Sequence, residues 1–437
     1  MDFKLTLDFR TRGPGRSVPE LNRDTGQKRD SEVARVELFN RSGCLDNDRA
    51  LRAAERAANG ELCIVDLVGS DTLARAKDPS AHIEPIACLR GALLPSANLQ
   101  PVLLLAIETS CDDTAAAVVR NGSDVLSSVA TNQDAFHAKY GGIVPEIASR
   151  RHVALISAAV EDALQRAGAT LESIDGIAVT RGPGLIGSLV VGVAAAKAYA
   201  FASQRPLYAV NHLHGHVFAP FLDRVEEPPY PFLTLLVSGG HSQLVSVESA
   251  TELSVLGRTY DDAAGEAYDK TARLLGLPYP GGPALDLLAQ RGNPDAIAFP
   301  RHRPSGDSLD LSFSGLKTSV RYFLESEAGG DATREDVAAS FQAAVVDVLM
   351  ARLKAAYSRA EYKAVALSGG VAANSALQAA FASWARANDI PAFIPPPQYC
   401  TDNAAMIAAA AFYQRDAVRA DPLTLCADPN LAFPLSP

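Results

Sequence analysis

The feature that most constrains the fold is a pattern that occurs twice. Residues 102–119 read VLLLAIETSCDDTAAAVV, an apolar run, a small polar turn and a second apolar run. Residues 232–247 read FLTLLVSGGHSQLVSV, with the same order. Short apolar runs bounded by turn residues predict buried strands. Two such strand–turn–strand starts in one chain predict a duplicated lobe. Between them, residues 152–167 have helical spacing, GIAVT (176–180) reads as a strand, and Arg181-Gly182-Pro183-Gly184 launches an apolar helix over 184–203 before a strand at 207–210. Later, KAVALSGGVAANSALQAAFASWA reads as strand, glycine turn, helix. Alternating strands and helices predict α/β layers, with a ligand cleft at the strand ends between the lobes.

The 437 residues accommodate two or three domains. The expected division is an extension over 1–100, a first α/β lobe over 101–231, and a second over 232–437 whose C-terminal helix returns to the first. The extension opens with a polar, arginine-containing stretch (10–30) that reads as loop or disorder; 48–59 is expected as a short helix and 62–68 as a strand. An appended domain and a start codon placed too far upstream explain it equally well.

The 184–203 helix has the length of a membrane span, but its glycines, its alanine content and Lys197 predict a buried helix instead. The N-terminus has no apolar signal core, and Asp2, Asp8, Glu20 and Asp24 argue against a mitochondrial presequence. Six cysteines without CxxC spacing predict no disulfide framework. The expectation is a cytoplasmic protein with no membrane contact. A net charge of -10 opposes generic nucleic-acid coating, so an RNA substrate needs a local basic patch or help from a partner. Lys139, Arg150-Arg151 and Arg301-His302-Arg303 are the candidate contacts, and each reads equally well as solvated surface.

Four groups of residues can carry chemistry. Ser238-Gly239-Gly240-His241 and Ser368-Gly369-Gly370 each follow a strand, and Gly281-Gly282 stands in YPGGP. Glycine lets backbone N–H groups approach a phosphate, although such turns also occur without any ligand. The acidic turn from Glu108 to Thr114 offers Asp112 and Asp113 as a general base or cation ligands, against the plain alternative of a solvated turn. Cys111 in that turn reads as a packing residue, with no neighbouring cation to lower its pKa. In NHLHGH, His212 and His216 stand at i and i+4 and share a helix face, a metal-binding spacing, while His214 points elsewhere. The HExxH glutamate is missing, because Leu213 follows His212. Asp402 is the strongest third ligand, but it precedes an alanine-rich helix, and the sequence by itself favours an N-cap. Two histidines and a carboxylate would leave positions open on Fe(II) or Zn. Finally, Asp269 follows Asp261 by eight residues, so on one helix the two would share a face and could bind a ribose diol; an acidic helix with an Asp–Lys surface pair is the alternative.

Taken in order, ETSCDDT, GPGLIGSLVVG, NHLHGH, LVSGGH, DDAAGEAYDK, YPGGPALD, FSGLKT, LSGGVAAN and CTDNAAM resemble the tRNA adenosine threonylcarbamoyltransferases of the bacterial branch, formerly described as O-sialoglycoprotein endopeptidases. The resemblance spans about residues 102–415, and nothing in it maps onto the extension. It implies an α/β, two-lobed actin/sugar-kinase/Hsp70-like (ASKHA) fold with duplicated RNase H-like lobes, plus the unassigned extension. It implies a divalent metal, Fe2+ or Zn2+, on His212, His216 and Asp402. Nucleotide contacts map onto Leu236, Val237, Ser238, Gly239, Gly240, Asp269, Gly282 and Asn374, for threonylcarbamoyl-AMP or ATP/ADP. Asp112 and Asp113 are the catalytic candidates. Where many members carry Glu, this chain has Asp113, a carboxylate one methylene shorter. The implied reaction moves threonylcarbamoyl from its adenylate to N6 of adenosine 37 in tRNAs reading codons that start with A. The implied partners are the tRNA, a catalytically inactive paralogue (TsaB-like) docked on apolar helices of the first lobe, and a small ATPase (TsaE-like). Rival readings are a metallopeptidase, a small-molecule carbamoyltransferase or kinase on the same fold, and an Hsp70-like binding module. The first lacks the HExxH glutamate, and the last lacks a peptide-binding domain after the second lobe.

Overall fold

The computed structural model describes residues 4–8, 35–39, 101–304 and 306–433. The chain divides into two compact units, Met1–Gln100 and Pro101–Pro437. In the first, β1 (Lys4–Asp8) and β2 (Arg35–Phe39) pair antiparallel, with Lys4 opposite Phe39. Neither strand was expected, although both alternate apolar and polar residues at the strand period. The helix expected at 48–59, the strand at 62–68 and the loop at 10–30 lie outside the described residues.

The second unit holds two sheets built on one plan. The first runs β13–β7–β6–β3–β4–β5, from β3 (Leu103–Glu108), β4 (Thr114–Arg120), β5 (Asp124–Thr131), β6 (Gly176–Gly182), β7 (Leu207–Asn211) and β13 (Arg419–Ala420). The second runs β10–β9–β8–β11–β12, from β8 (Phe232–Val237), β9 (Ser242–Val247), β10 (Leu253–Arg258), β11 (Ala364–Ser368) and β12 (Ala392–Phe393). In each, the first strand pairs antiparallel with the second and the second with the third, while the fourth joins the first strand's other side in parallel. The repeated sequence pattern is therefore a repeated topology.

The strands bury both faces, as their continuous apolar composition requires. In β3, Leu105 and Ile107 face one core while Leu104 and Ala106 face another. The outer face of the first sheet is covered by α1 (Pro145–Ala167) and α2 (Ile186–Ser203). Proline opens α1, and Gly168, in the left-handed region, closes it by donating to the Gln165 carbonyl while the Ala169 amide donates to Leu164. The outer face of the second sheet carries α4 (Ala264–Leu274), α5 (Gly281–Ala289), α6 (Ser314–Glu325), α7 (Arg334–Tyr357) and α8 (Ser375–Ala387). Between the sheets lie α3 (His212–Phe218) and α9 (Ala404–Tyr413), in a core shared by Leu104 and Ala117 of one sheet and Phe232 and Ala366 of the other. All of Ala404–Ala411 is buried, and the run of alanines lets two sheets close on a single helix.

The expectation that the 184–203 helix is buried needs correction. α2 is long and apolar enough to cross a membrane, and only 33% of it is buried. Leu189, Val193, Ala196 and Ala200 pack inward, but Ile186, Val190 and Phe201 are exposed. Val153 of α1 is exposed as well, which leaves an apolar strip on the outside of the first sheet's helices.

Candidate active site

β7 ends in Asn211, whose side chain accepts from the Leu213 amide and so starts α3 at once. That cap fixes the phase of the helix and turns His212 and His216 to the same side, ring centroids 4.7 Å apart and nearly perpendicular. His214 faces the opposite way, bonded to Gln414 at 2.8 Å, and burial pushes its pKa down to about 4. Asp402 approaches from the loop before α9. Its Oδ1 lies 3.5 Å from His212 Nε2 and 3.2 Å from His216 Nε2. The sequence by itself favoured Asp402 as the helix cap. Asn403 does that work instead, accepting from the Met406 amide, and Asp402 is left to face the histidines.

One donor atom from each of His212, His216 and Asp402 falls within 4.8 Å of the others. Both ring nitrogens of His216 are buried without a hydrogen-bond partner, Nε2 being close to Asp402 but outside bonding geometry. An orphaned imidazole Nε2 beside a carboxylate is costly unless a cation takes it up, so the donors fit a divalent metal.

Glu108, at the end of β3, is fully buried and was not singled out in the sequence beyond its place in the acidic turn. Its Oε2 stands 3.2 Å from His212 Nδ1 and accepts from Thr180, while Oε1 accepts from the Ser110 amide. Ser110 Oγ lies 3.1 Å from the same Nδ1. A carboxylate on Nδ1 fixes the ring and leaves Nε2 for a metal. Burial acts to raise the Glu108 pKa, but His212 and the hydrogen bonds hold it below the ordinary range. Burial likewise opposes charge on His212, yet Asp402 and Glu108 push its pKa up to about 9. Burial, with His212 and His216 nearby, lowers His241 to about 4.

In the acidic turn, burial first and then Asp402 and Asp112 raise Asp113 to about 8. Asp113 and Asp402 line one pocket of about 540 Å³, together with Ser128, Asn132, Tyr399 and Thr401. Burial drives the Cys111 thiol far up, which agrees with a packing role. Burial and the carboxylates of Asp112, Asp269 and Asp134 push up the Tyr279 phenol. Tyr279 thus feels carboxylates from both the acidic turn and α4, a convergence invisible in sequence.

The two glycine turns touch each other because β8 and β11 are adjacent and parallel. A Cβ on Gly369, at φ +88°, would fall 2.4 Å from the Val237 carbonyl oxygen. Gly239 and Gly240 are exposed with open space where a side chain would be. Leu236 and Val237, the last residues of β8, are fully buried, and Ser238 Oγ accepts from the His241 amide at 3.2 Å. Ser368 donates to the His216 backbone oxygen, tying the second turn to the histidine helix.

One expectation on this side changes. Asp261 does not share a helix face with Asp269, because α4 starts only at Ala264; Asp261 instead accepts from Ser312 and, at 2.9 Å, from the Phe313 amide. Asp269 accepts from the amides of Gly281 (2.9 Å) and Gly282 (3.3 Å), so it anchors the start of α5. The Asn374 side chain is also engaged, capping α8 and donating to Gln342 at 2.8 Å and Asp286 at 3.1 Å.

Comparison with known proteins decides the family. Residues 124–409 match the family described as tRNA N6-adenosine threonylcarbamoyltransferase. The chain belongs to that family. A threonylcarbamoyltransferase of this name from Geotalea uraniireducens is 52% identical over 309 residues, covering 70% of this chain and 90% of the relative. One from Moorella thermoacetica is 50% identical over 332 residues, covering 75% and 96%. In fold alone, the chain resembles the crystal structure of HypF from T. kodakarensis, with a TM-score of 0.50 and 13% identity over 72% of this chain and 49% of that one. The architecture is the two-lobed ASKHA fold that the motifs implied. Membership of the threonylcarbamoyltransferase family implies a divalent metal and an ATP-derived substrate, and the His212–His216–Asp402 group is suited to the metal.

Proposed function

We propose that the chain forms the threonylcarbamoyl modification of adenosine 37 in tRNAs reading codons that start with A, as a metal-dependent transferase using threonylcarbamoyl-AMP. The observation that carries this reading is the pairing of the His212–His216–Asp402 group with the open glycine turn at Gly239-Gly240. The bond between the carbamoyl carbon and N6 forms, the bond from that carbon to the phosphate oxygen breaks, AMP leaves, and N6 loses one proton.

Asp113, with Asp112 beside it, accepts that proton; its raised pKa suits a base working near neutral pH. The Gly239 and Gly240 amides donate to the phosphate as it departs. Leu236, Val237 and Ser238 hold this turn in place, and Asp269, Gly282 and Asn374 shape the nucleotide's side of the cleft. When bound at His212, His216 and Asp402, a divalent cation supplies Lewis acidity; Fe2+ is the proposed metal and Zn2+ the alternative.

The lobes are taken as 101–231 and 232–437, with the C-terminal helix returning to the first and the role of 1–100 left unassigned. A TsaB-like paralogue docks on the apolar strip of Val153, Ile186 and Val190, and a TsaE-like ATPase assists. This work on tRNA is cytoplasmic. Nucleoside mass spectrometry of tRNA from a depleted strain tests the reading. The modified nucleoside should disappear and return with the chain from residue 101 onward; tRNA that keeps the modification after depletion would refute it.

A further inference from the structure

Outside the cleft, positive charge gathers where the chain leaves Phe299. Arg352, on α7, donates to the His302 backbone oxygen at 3.4 Å, and Arg359, just beyond α7, donates to the Asp307 backbone oxygen. Both arginines clasp the segment that carries Arg301, His302 and Arg303. Arg301 has a carboxylate partner, Asp347 at 3.1 Å. Among the described residues, Arg303, Arg352 and Arg359 have none. The nearby Asp310 is already used by the Arg258 amide and Ser308. Burial and the like charges of Arg303 and Arg359 lower the Arg352 pKa, a sign of mutual repulsion. Arg352 Nε and His302 Nε2 are buried without a hydrogen-bond partner. Tyr260, 66% exposed, stands with its ring centroid 5.7 Å from that of His302.

Like charges held together without a counter-charge cost free energy, and an anion placed among them recovers it. Guanidinium forks match phosphate oxygens, and an exposed tyrosine offers a stacking face to a base. In a chain of net charge -10, a cluster of uncompensated arginines is an island. We propose that Arg303, Arg352 and Arg359, with Tyr260 at their edge, bind the sugar–phosphate backbone of the tRNA substrate away from the site of transfer. The contact explains how an acidic protein holds a polyanion: sequence-wide charge repels it, and a local island receives it. The inference rests on tRNA being the substrate.

The test uses the full chain with its partner proteins and a tRNA transcript, with affinity measured by fluorescence anisotropy from about 50 to 200 mM salt. Arg303→Ala and Arg359→Ala should each flatten the slope of log affinity against log salt by roughly 0.7–0.9, the loss of one phosphate contact. The KM for tRNA should rise with kcat unchanged, and Arg303→Lys should restore most of the slope. Arg303 is exposed, so its variants fold. An unchanged slope and KM in Arg303→Ala and Arg359→Ala overturns the proposal, including the case in which those variants lose a bound acidic protein instead. A wild-type complex that neither binds nor modifies tRNA removes the substrate reading itself, and this contact falls with it.

Discussion

The turns that follow β3 and β8 occupy equivalent places in two sheets of the same order, yet their chemistry is opposite. The first is crowded with fixed charge. Glu108 is enclosed and held by Ser110, Thr180 and His212, and Asp113 is half-buried beside other carboxylates. The second is bare. Ser238 and His241 satisfy each other across the turn, and among the described residues Gly239 and Gly240 donate to no protein acceptor. Duplication copied a backbone geometry that presents a turn to a shared cleft. What differs is what each turn offers: buried side-chain charge after β3, unengaged backbone N–H groups after β8. Charge can be deleted residue by residue, whereas bareness can only be spoiled by adding atoms.

The largest effect is expected where the charged side meets the histidines. His212 is the link, since one ring nitrogen faces Glu108 and the other Asp402. His212→Ala should abolish metal content and lower transfer by on the order of a thousandfold or more, a loss of several kcal/mol of transition-state stabilisation. Full metal occupancy in the purified variant, read by elemental analysis, would remove His212 from the ligand set. Leaving Glu108 enclosed without its partner should also destabilise the fold, so occupancy is compared with the thermal midpoint of the same preparation.

A second effect separates the carboxylates of the acidic turn from its shape. Asp113→Asn keeps size and polarity and should slow transfer about 10²–10⁴-fold while metal content stays intact. A base must be unprotonated, so the rate should rise with pH along a limb near 8 set by Asp113. A cation that offsets Asp402, one cause of the raised value, moves that limb lower. The sign for stability is opposite. A carboxylate whose pKa is raised on folding binds its proton more tightly in the native state, so its contribution declines as pH climbs from about 4 to 8. In metal-free protein, the wild type should lose stability over that range relative to Asp113→Asn. Parallel stability curves for the two would show that Asp113 is not perturbed.

How far this arrangement could be read in advance differs by residue. The strands and the duplicated order were legible, because short apolar runs with turns at fixed places leave few alternatives. The histidine pair was legible because i, i+4 on a helix fixes a face. Asp402 was not legible from spacing, because a carboxylate just before a helix looks like a cap, and only the motif resemblance pointed to a ligand; the fold shows that Asn403 has taken the cap position. The role of Glu108 also needed the fold, since its partners Thr180 and His212 are brought in by β6 and α3 from far along the chain. Asp261 misled because equal spacing was assumed to lie on one helix, and α4 starts after it. The exposed side of α2 was hidden because its outward and inward faces are almost equally apolar, so no periodicity marks which one is buried.

The smallest effect is expected on the bare side, where two glycines separate a structural need from a functional one. At Gly369 the backbone is left-handed and a methyl group would meet the Val237 carbonyl. Gly369→Ala should therefore cost roughly 1–3 kcal/mol of stability, whatever the ligand. At Gly240 a methyl group would meet no protein atom. Gly240→Ala should change stability by less than about 0.5 kcal/mol, as an unobstructed surface substitution does. The added carbon enters the space that a phosphate would need, so affinity for the nucleotide should fall several-fold by calorimetry. Equal nucleotide affinity in Gly240→Ala and wild type would mean that the turn is open for no ligand, and that the second sheet's copy of the turn is only a connection between strands.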